Sequence, residues 1–168
     1  MRVREFLARY RVRLGFLAAL AALWLSRPTT RSVAAGAAMA ATGELLRIWA
    51  AGHLEKGREV TVSGPYRLTR HPLYVGSAVM GVGFAVASNS VGTAAIVAAY
   101  LALTIGAAIR REERHLTEKF GSAYPEYREG RLPDVARRFS AGRAMRNREY
   151  RAALGLLAVL ALLLWKAL

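Results

Sequence analysis

Long apolar runs alternate with short blocks of arginine along this chain, and the alternation predicts five helices. The runs occupy residues 14–25, 32–51, 72–87, 91–109 and 152–165. A helix crossing a hydrocarbon layer of about 30 Å needs about 20 apolar residues. The first run is short for that, but Arg11 and Arg13 at one end and Arg27 at the other can extend it by snorkelling. Ser26-Arg27-Pro28-Thr29-Thr30 reads as a turn, and Pro72 suits the first turn of a helix. Ser88-Asn89-Ser90 is so short a connection that the third and fourth runs should form an antiparallel helical hairpin. The expected fold is all-α: a polytopic membrane protein with about five transmembrane helices. Residues 1–168 make one integral membrane domain, with a core at 64–133 and a basic segment plus last helix at 134–168.

Charge sharpens this picture. The chain is 54% hydrophobic, yet carries 25 Lys and Arg against 11 Asp and Glu, a net charge of +14. Five basic residues precede the first run, four lie between the second and third, and twelve lie between residues 110 and 151. The intervening connections and the C-terminus hold two, none and one. By the positive-inside rule this asymmetry places the N-terminus in the cytoplasm and the C-terminus outside, in a membrane such as a bacterial inner membrane. A basic start before an apolar run also fits a signal peptide. The Ala-rich stretch after Arg31 offers no convincing cleavage site, so a retained first helix is expected.

Net positive charge could mean nucleic acid, but the basic blocks lie between apolar runs and lack interleaved aromatics for base stacking. Anionic membrane lipids are the expected partners, not nucleic acid. There is no cysteine, which excludes disulfides and thiolate chemistry. His53, His71 and His115 have no metal-ligand spacing, so no metal site is expected. Small residues four apart in the third run, Ser77 with Gly81 and Gly83 with Ala87, allow close helix packing. Gly81-Val82-Gly83 follows no strand, so packing explains it better than a nucleotide loop.

Two polar segments remain. Gly64-Pro65-Tyr66 redirects the chain, and Arg70-His71-Pro72 places a cation and an imidazole just before a helix whose first turns hold Tyr74 and Gly76. Free N–H groups at a helix start favour an anion such as a carboxylate. Arg70 and His71 would reinforce that, and Gly76 would let a ligand approach; the alternative is an interfacial anchor. Glu112 and Glu113 close the fourth run. They either pair with Arg110, Arg114 or Lys119 along the helix, or face ribose hydroxyls or a cationic ligand. Arg47 and Glu44, three apart inside the second run, form a charge pair there; Arg47 either contacts an anionic substrate head or snorkels with its partner. His53 and His115 are expected to be interfacial side chains.

Taken together, Gly64-Pro65-Tyr66, Arg70-His71-Pro72-Leu73-Tyr74-Val75-Gly76, Glu112-Glu113, Leu116, Phe120-Gly121, Tyr124 and Tyr127 resemble a family of membrane methyltransferases. It includes isoprenylcysteine carboxyl methyltransferases and phospholipid N-methyltransferases. The resemblance covers about residues 44–133 and departs after Tyr127: Arg128-Glu129-Gly130-Arg131-Leu132-Pro133 is shorter than the usual approach to the family's closing Arg and Pro, and an Arg-rich segment and fifth run follow. It implies S-adenosylmethionine as cofactor, held by Arg70, His71, Tyr74, Gly76, Glu112 and Glu113. It also implies a lipid or lipidated acceptor, for which Arg47 and Tyr66 are the candidate substrate-side residues. The Arg-His-Pro and Gly-Pro-Tyr forms look closest to the isoprenylcysteine carboxyl branch. The alternatives are a phospholipid N-methyltransferase, an NADPH-dependent sterol-type reductase, and a non-enzymatic membrane scaffold.

Overall fold

The computed structural model describes residues 17–133 and 135–168. The basic N-terminal block and the start of the first expected run lie outside the described residues. Among the described residues all regular structure is helical, with no strand. Residues 17–25 form α1, Thr30–His53 α2, Pro72–Ser88 α3 and Val91–Phe120 α4. Two short helices follow, α5 (Ala123–Arg128) and α6 (Ala141–Arg146), and then α7 (Tyr150–Ala167). A helix therefore stands at each of the five expected places. Two of them, α4 and α7, are long and apolar enough to cross a membrane; α3 is apolar but shorter.

Local sequence sets the boundaries. Thr29 and Ser32 cap α2 reciprocally, side chain to backbone in both directions. Pro72 opens α3, where its missing N–H costs nothing. Asn89 takes a left-handed conformation (φ 47°) and Ser90 caps α4, so the 88–90 turn makes the expected α3–α4 hairpin. At 30 residues, α4 runs about 45 Å, so its charged last third projects beyond an apolar layer.

The tightest packing is between α2 and α3, and it depends on absent side chains. A Cβ on Gly43 would stand 2.6 Å from the Gly76 carbonyl oxygen, and one on Gly83 would stand 2.7 Å from that of Gly36. Gly83 and Ala87 thus face α2, while Gly81 faces Leu101 of α4. Packing is the role these small residues play. At one end of the bundle the α1–α2 turn meets the hairpin: Arg27 N–H donates to the Ser88 carbonyl (2.8 Å) and Thr93 Oγ1 to the Ala22 carbonyl (2.9 Å). Lys166 brings α7 to the same place, donating to the Leu23 carbonyl (2.8 Å) and Ser26 Oγ (3.1 Å).

The opposite end holds the loops and most of the charge. Here the basic segment 137–147 closes over the end of α2. Ser140 N–H and Arg143 Nε donate to the Gly52 carbonyl, at 3.1 and 2.8 Å. Asn147 Nδ2 bonds the Ala51 and Leu54 carbonyls, both at 2.9 Å, and Arg137 reaches that of His53 (3.4 Å). Helix ends leave carbonyls without partners and carry partial negative charge. These side chains satisfy both needs, which explains the Arg-rich stretch where the resemblance ends.

Candidate active site

The geometry of the helix mouth begins at Gly64. Its φ is +59°, and a Cβ there would stand 2.6 Å from the His53 ring, so this turn suits only glycine. Pro65 and Tyr66 follow in a single 3-10 turn that directs the chain back to the bundle, toward His71 at the start of α3. His53 itself is 4% exposed, with Nδ1 2.9 Å from the Trp49 carbonyl and Phe139 against its ring. The expectation of an interfacial side chain is corrected there: His53 is a buried packing residue.

His71 caps α3 without using its side chain, which leaves the imidazole free to reach α4. Its Nε2 lies 3.1 Å from Glu113 Oε1; a carboxylate can only accept, so Nε2 carries the hydrogen. The Tyr124 hydroxyl donates to the same oxygen (3.2 Å), and the Arg70 guanidinium stands 3.6 Å away. Burial pushes the Glu113 carboxyl up, but the hydrogen bonds from His71 and Tyr124 and the charges of His71 and Arg70 outweigh it, leaving its pKa below the usual range. Arg70 and His71 thus meet Glu113 across 42 residues of chain.

The charge of Glu112 acts on the Tyr74 and Tyr66 phenols and also on that of Tyr124. Tyr66 is buried; that burial, with Glu112 close by, raises its phenol well above the ordinary value. Its backbone carbonyl accepts a hydrogen bond from Tyr127 (2.6 Å), which ties α5 to the turn. Tyr66 and Tyr127 line an open cavity of about 300 Å³ with Val62, Arg67 and Leu132. Gly76 is buried against α2, where a Cβ would meet Arg47 Cγ at 2.5 Å.

Arg47 has a partner that local spacing did not suggest. Glu44 is near its Nε (3.6 Å), but Glu149, just before α7, is closer: 2.7 Å from Nε and 2.6 Å from Nη2. Nη1 bonds Ser77 Oγ and the Leu73 carbonyl. One guanidinium therefore joins α2, α3 and the start of α7. Glu149 is a residue of this region that sequence reasoning missed, and Tyr124 and Tyr127 entered there only as part of the resemblance, without a role of their own. The signals were an acid isolated among arginines before an apolar run, and two tyrosines three apart after a helix-ending glycine.

The fit to the implied cofactor can be judged from this donor set. Arg70, His71 and a helix start without a side-chain cap suit a carboxylate. Glu112 suits hydroxyls or an ammonium, and Tyr66 and Tyr74 offer aromatic faces. The residues fit S-adenosylmethionine.

Comparison with known proteins agrees with the class. The profile of the phospholipid methyltransferase family matches residues 31–123, more than half of the chain. The chain belongs to this family of membrane methyltransferases. It is 36% identical over 120 residues to the nickel-cobalt-cadmium resistance protein NccN of Alcaligenes xylosoxydans xylosoxydans, covering 70% of this chain and 51% of that protein. It is also 36% identical over 96 residues to the cobalt-zinc-cadmium resistance protein CzcN of Cupriavidus metallidurans, covering 56% of this chain and 41% of that one. The chain thus spans about half the length of the curated relatives it matches. No solved structure matches it. Among the described residues no three His, Asp or Glu side chains are grouped to hold a metal ion.

Proposed function

We propose that this protein transfers a methyl group from S-adenosylmethionine to a lipid or lipidated acceptor that enters from the bilayer. The observation that carries the reading is the contact between His71 and Glu113, at 3.1 Å, which joins the two polar segments into one site. Arg70, His71, Tyr74, Glu112 and Glu113 would hold the cofactor, and Gly76 would set the approach of α2 beside it. When bound, the cofactor supplies a methyl group on a sulfonium that departs as a neutral thioether. The chain's contribution is to position and to exclude water. Glu113, fixed by His71 and Tyr124, orients the site without moving a proton.

Five spans with the N-terminus in the cytoplasm remain our reading of the topology. It is supported by the Arg27 turn, the hairpin turn and Lys166, which all gather at one end of the bundle, away from the basic loops. The cofactor site then faces the cytosol, and anionic lipids line that side.

For the acceptor, the Arg-His-Pro and Gly-Pro-Tyr forms favour carboxyl O-methylation of the isoprenylcysteine kind, which needs no base. A second reading, N-methylation of an amine head, draws support from Glu44. Glu44 is 6% exposed, and neither carboxylate oxygen has a hydrogen-bond partner among the described residues. Arg47 is already held by Glu149, so the Glu44 oxygens keep acceptor capacity for the N–H groups of an amine head.

Calorimetry of the detergent-purified protein with S-adenosylmethionine, S-adenosylhomocysteine and NADPH tests the reading. Binding of the adenosyl ligands, lost in Glu113→Ala and His71→Ala, is the expected result. Binding of NADPH alone would replace it with a reductase, and no binding at all with a scaffold. Radiolabelled methyl transfer to a prenylated cysteine or to phosphatidylethanolamine then separates O- from N-methylation. The relatives' names make growth on cobalt or cadmium a fitting phenotype for a deletion strain.

A further inference from the structure

A second cleft lies away from the helix mouth, where the end of α2 meets α6. Its volume is about 300 Å³, and its lining includes Glu55, Lys56, Arg58, Arg143, Arg146 and Asn147. Four cations face one carboxylate, and that carboxylate is already occupied: Arg143 stands 3.2 Å from Glu55 Oε1 and Arg58 3.7 Å from Oε2. The back wall is fixed, because Arg143 is bonded to the Gly52 and Arg138 carbonyls and Asn147 to those of Ala51 and Leu54. Lys56 and Arg146, by contrast, are exposed and make no hydrogen bond or ion pair among the described residues. Two unspent cations thus stand over a wall that the fold holds rigid. Next to Arg146 in the chain, Met145 is apolar and 58% exposed, and four residues beyond Arg146 the 40% exposed Tyr150 opens the apolar helix α7.

We infer that this cleft binds a phosphate group, with Lys56 and Arg146 as its principal ligands, and that the exposed Met145 and Tyr150 beside it favour a phosphate carried by a membrane lipid. A phosphate offers acceptor oxygens to both side chains at once, and its negative charge offsets the surplus that Glu55 leaves. A diffuse basic surface would attract anionic lipid everywhere and hold it nowhere. The built wall and the two free cations make this place different. The inference is independent of methyl transfer, since no residue of the helix mouth takes part.

Native mass spectrometry of the full chain in detergent micelles reads it directly, by the retention of phosphatidylglycerol against phosphatidylcholine. At roughly a fivefold change per basic residue near a lipid surface, the double variant Lys56→Ala/Arg146→Ala should lose about 25-fold in phosphatidylglycerol affinity. The control Arg128→Ala/Arg131→Ala removes the same charge elsewhere and should change retention little. Both sites are exposed, so the melting temperature serves to confirm that the variants are folded. Added inorganic phosphate distinguishes the sources. Failure to compete at millimolar concentration assigns the cleft to lipid, and competition assigns it to free phosphate. Equal losses in the two double variants, or no preference for phosphatidylglycerol over phosphatidylcholine in the unmodified chain, would overturn the site.

Discussion

His53 and His71 sit at the same end of the bundle and are used in opposite ways. His53 is sealed between Trp49, Phe139 and the Gly64 turn, with its polar atom bonded to its own helix. His71 reaches across to another helix and shares one carboxylate oxygen with Tyr124 and Arg70. The same contrast separates the two charged regions around them. At the cap over α2, Arg137, Arg143 and Asn147 are matched to the backbone carbonyls at the end of that helix. At the mouth, several groups converge on Glu113 from loops and helices that backbone needs do not explain. Polar residues that close a helix end are structural; polar residues in surplus over backbone need mark a site.

The largest expected effect tests that distinction at its centre. Glu113→Ala and His71→Ala should each weaken adenosyl-ligand binding by about 10- to 100-fold, the range for losing hydrogen bonds to a charged group. His53→Ala should instead lower the unfolding midpoint and leave the affinity of the folded fraction unchanged. Calorimetry alongside denaturant titration resolves the two. Equal loss of affinity in all three variants would erase the contrast.

Next comes Arg143→Ala, which strips a donor from the Gly52 carbonyl and leaves Glu55 short of its main partner. A cost of about 2–3 kcal/mol in stability is expected, with adenosyl-ligand affinity preserved. Asn147→Ala should follow at about 1–2 kcal/mol, for the two carbonyls it leaves without a side-chain donor. Chemical denaturation of the three proteins in one detergent gives the ranking. An Asn147 variant as stable as the parent would mean that water replaces the amide without cost.

Much of this was legible in the sequence. Apolar runs placed helices at all five positions, and Ser88-Asn89-Ser90 gave the hairpin because few residues can turn so tightly. The pairing of the Arg-His-Pro segment with the Glu112-Glu113 segment was legible through resemblance, since 42 residues separate His71 from Glu113 and local spacing carries no information over that distance. What could not be read was which residues chain reversal makes neighbours. Arg47 was matched to Glu44 because helical periodicity pairs them, yet its closer partner Glu149 lies 102 residues on. The arginines of 137–151 read as lipid-facing charge, because nothing in a sequence shows that a helix end lacks donors until the chain returns to supply them.

The smallest effect is the dependence on acid, where the two regions should behave alike in stability and differently in binding. The hydrogen bond from Arg143 holds the Glu55 carboxyl below its usual range. Burial raises Glu113, but His71, Tyr124 and Arg70 together bring it below that range as well. For a carboxyl depressed in the folded state, the unfolded chain takes up protons first. The stabilisation is therefore complete above about 4.5, the ordinary value, and disappears as pH falls through the lower folded value. Both Glu55→Gln and Glu113→Gln should flatten the stability profile below that point. Adenosyl-ligand affinity in the unmodified protein should decline over the same acid range. Glu55→Gln should leave that decline in place, whereas Glu113→Gln should start from weak binding and show none. If Glu55→Gln abolished the decline, the cap over α2 would be coupled to the site, and the division between the two regions would have to be redrawn.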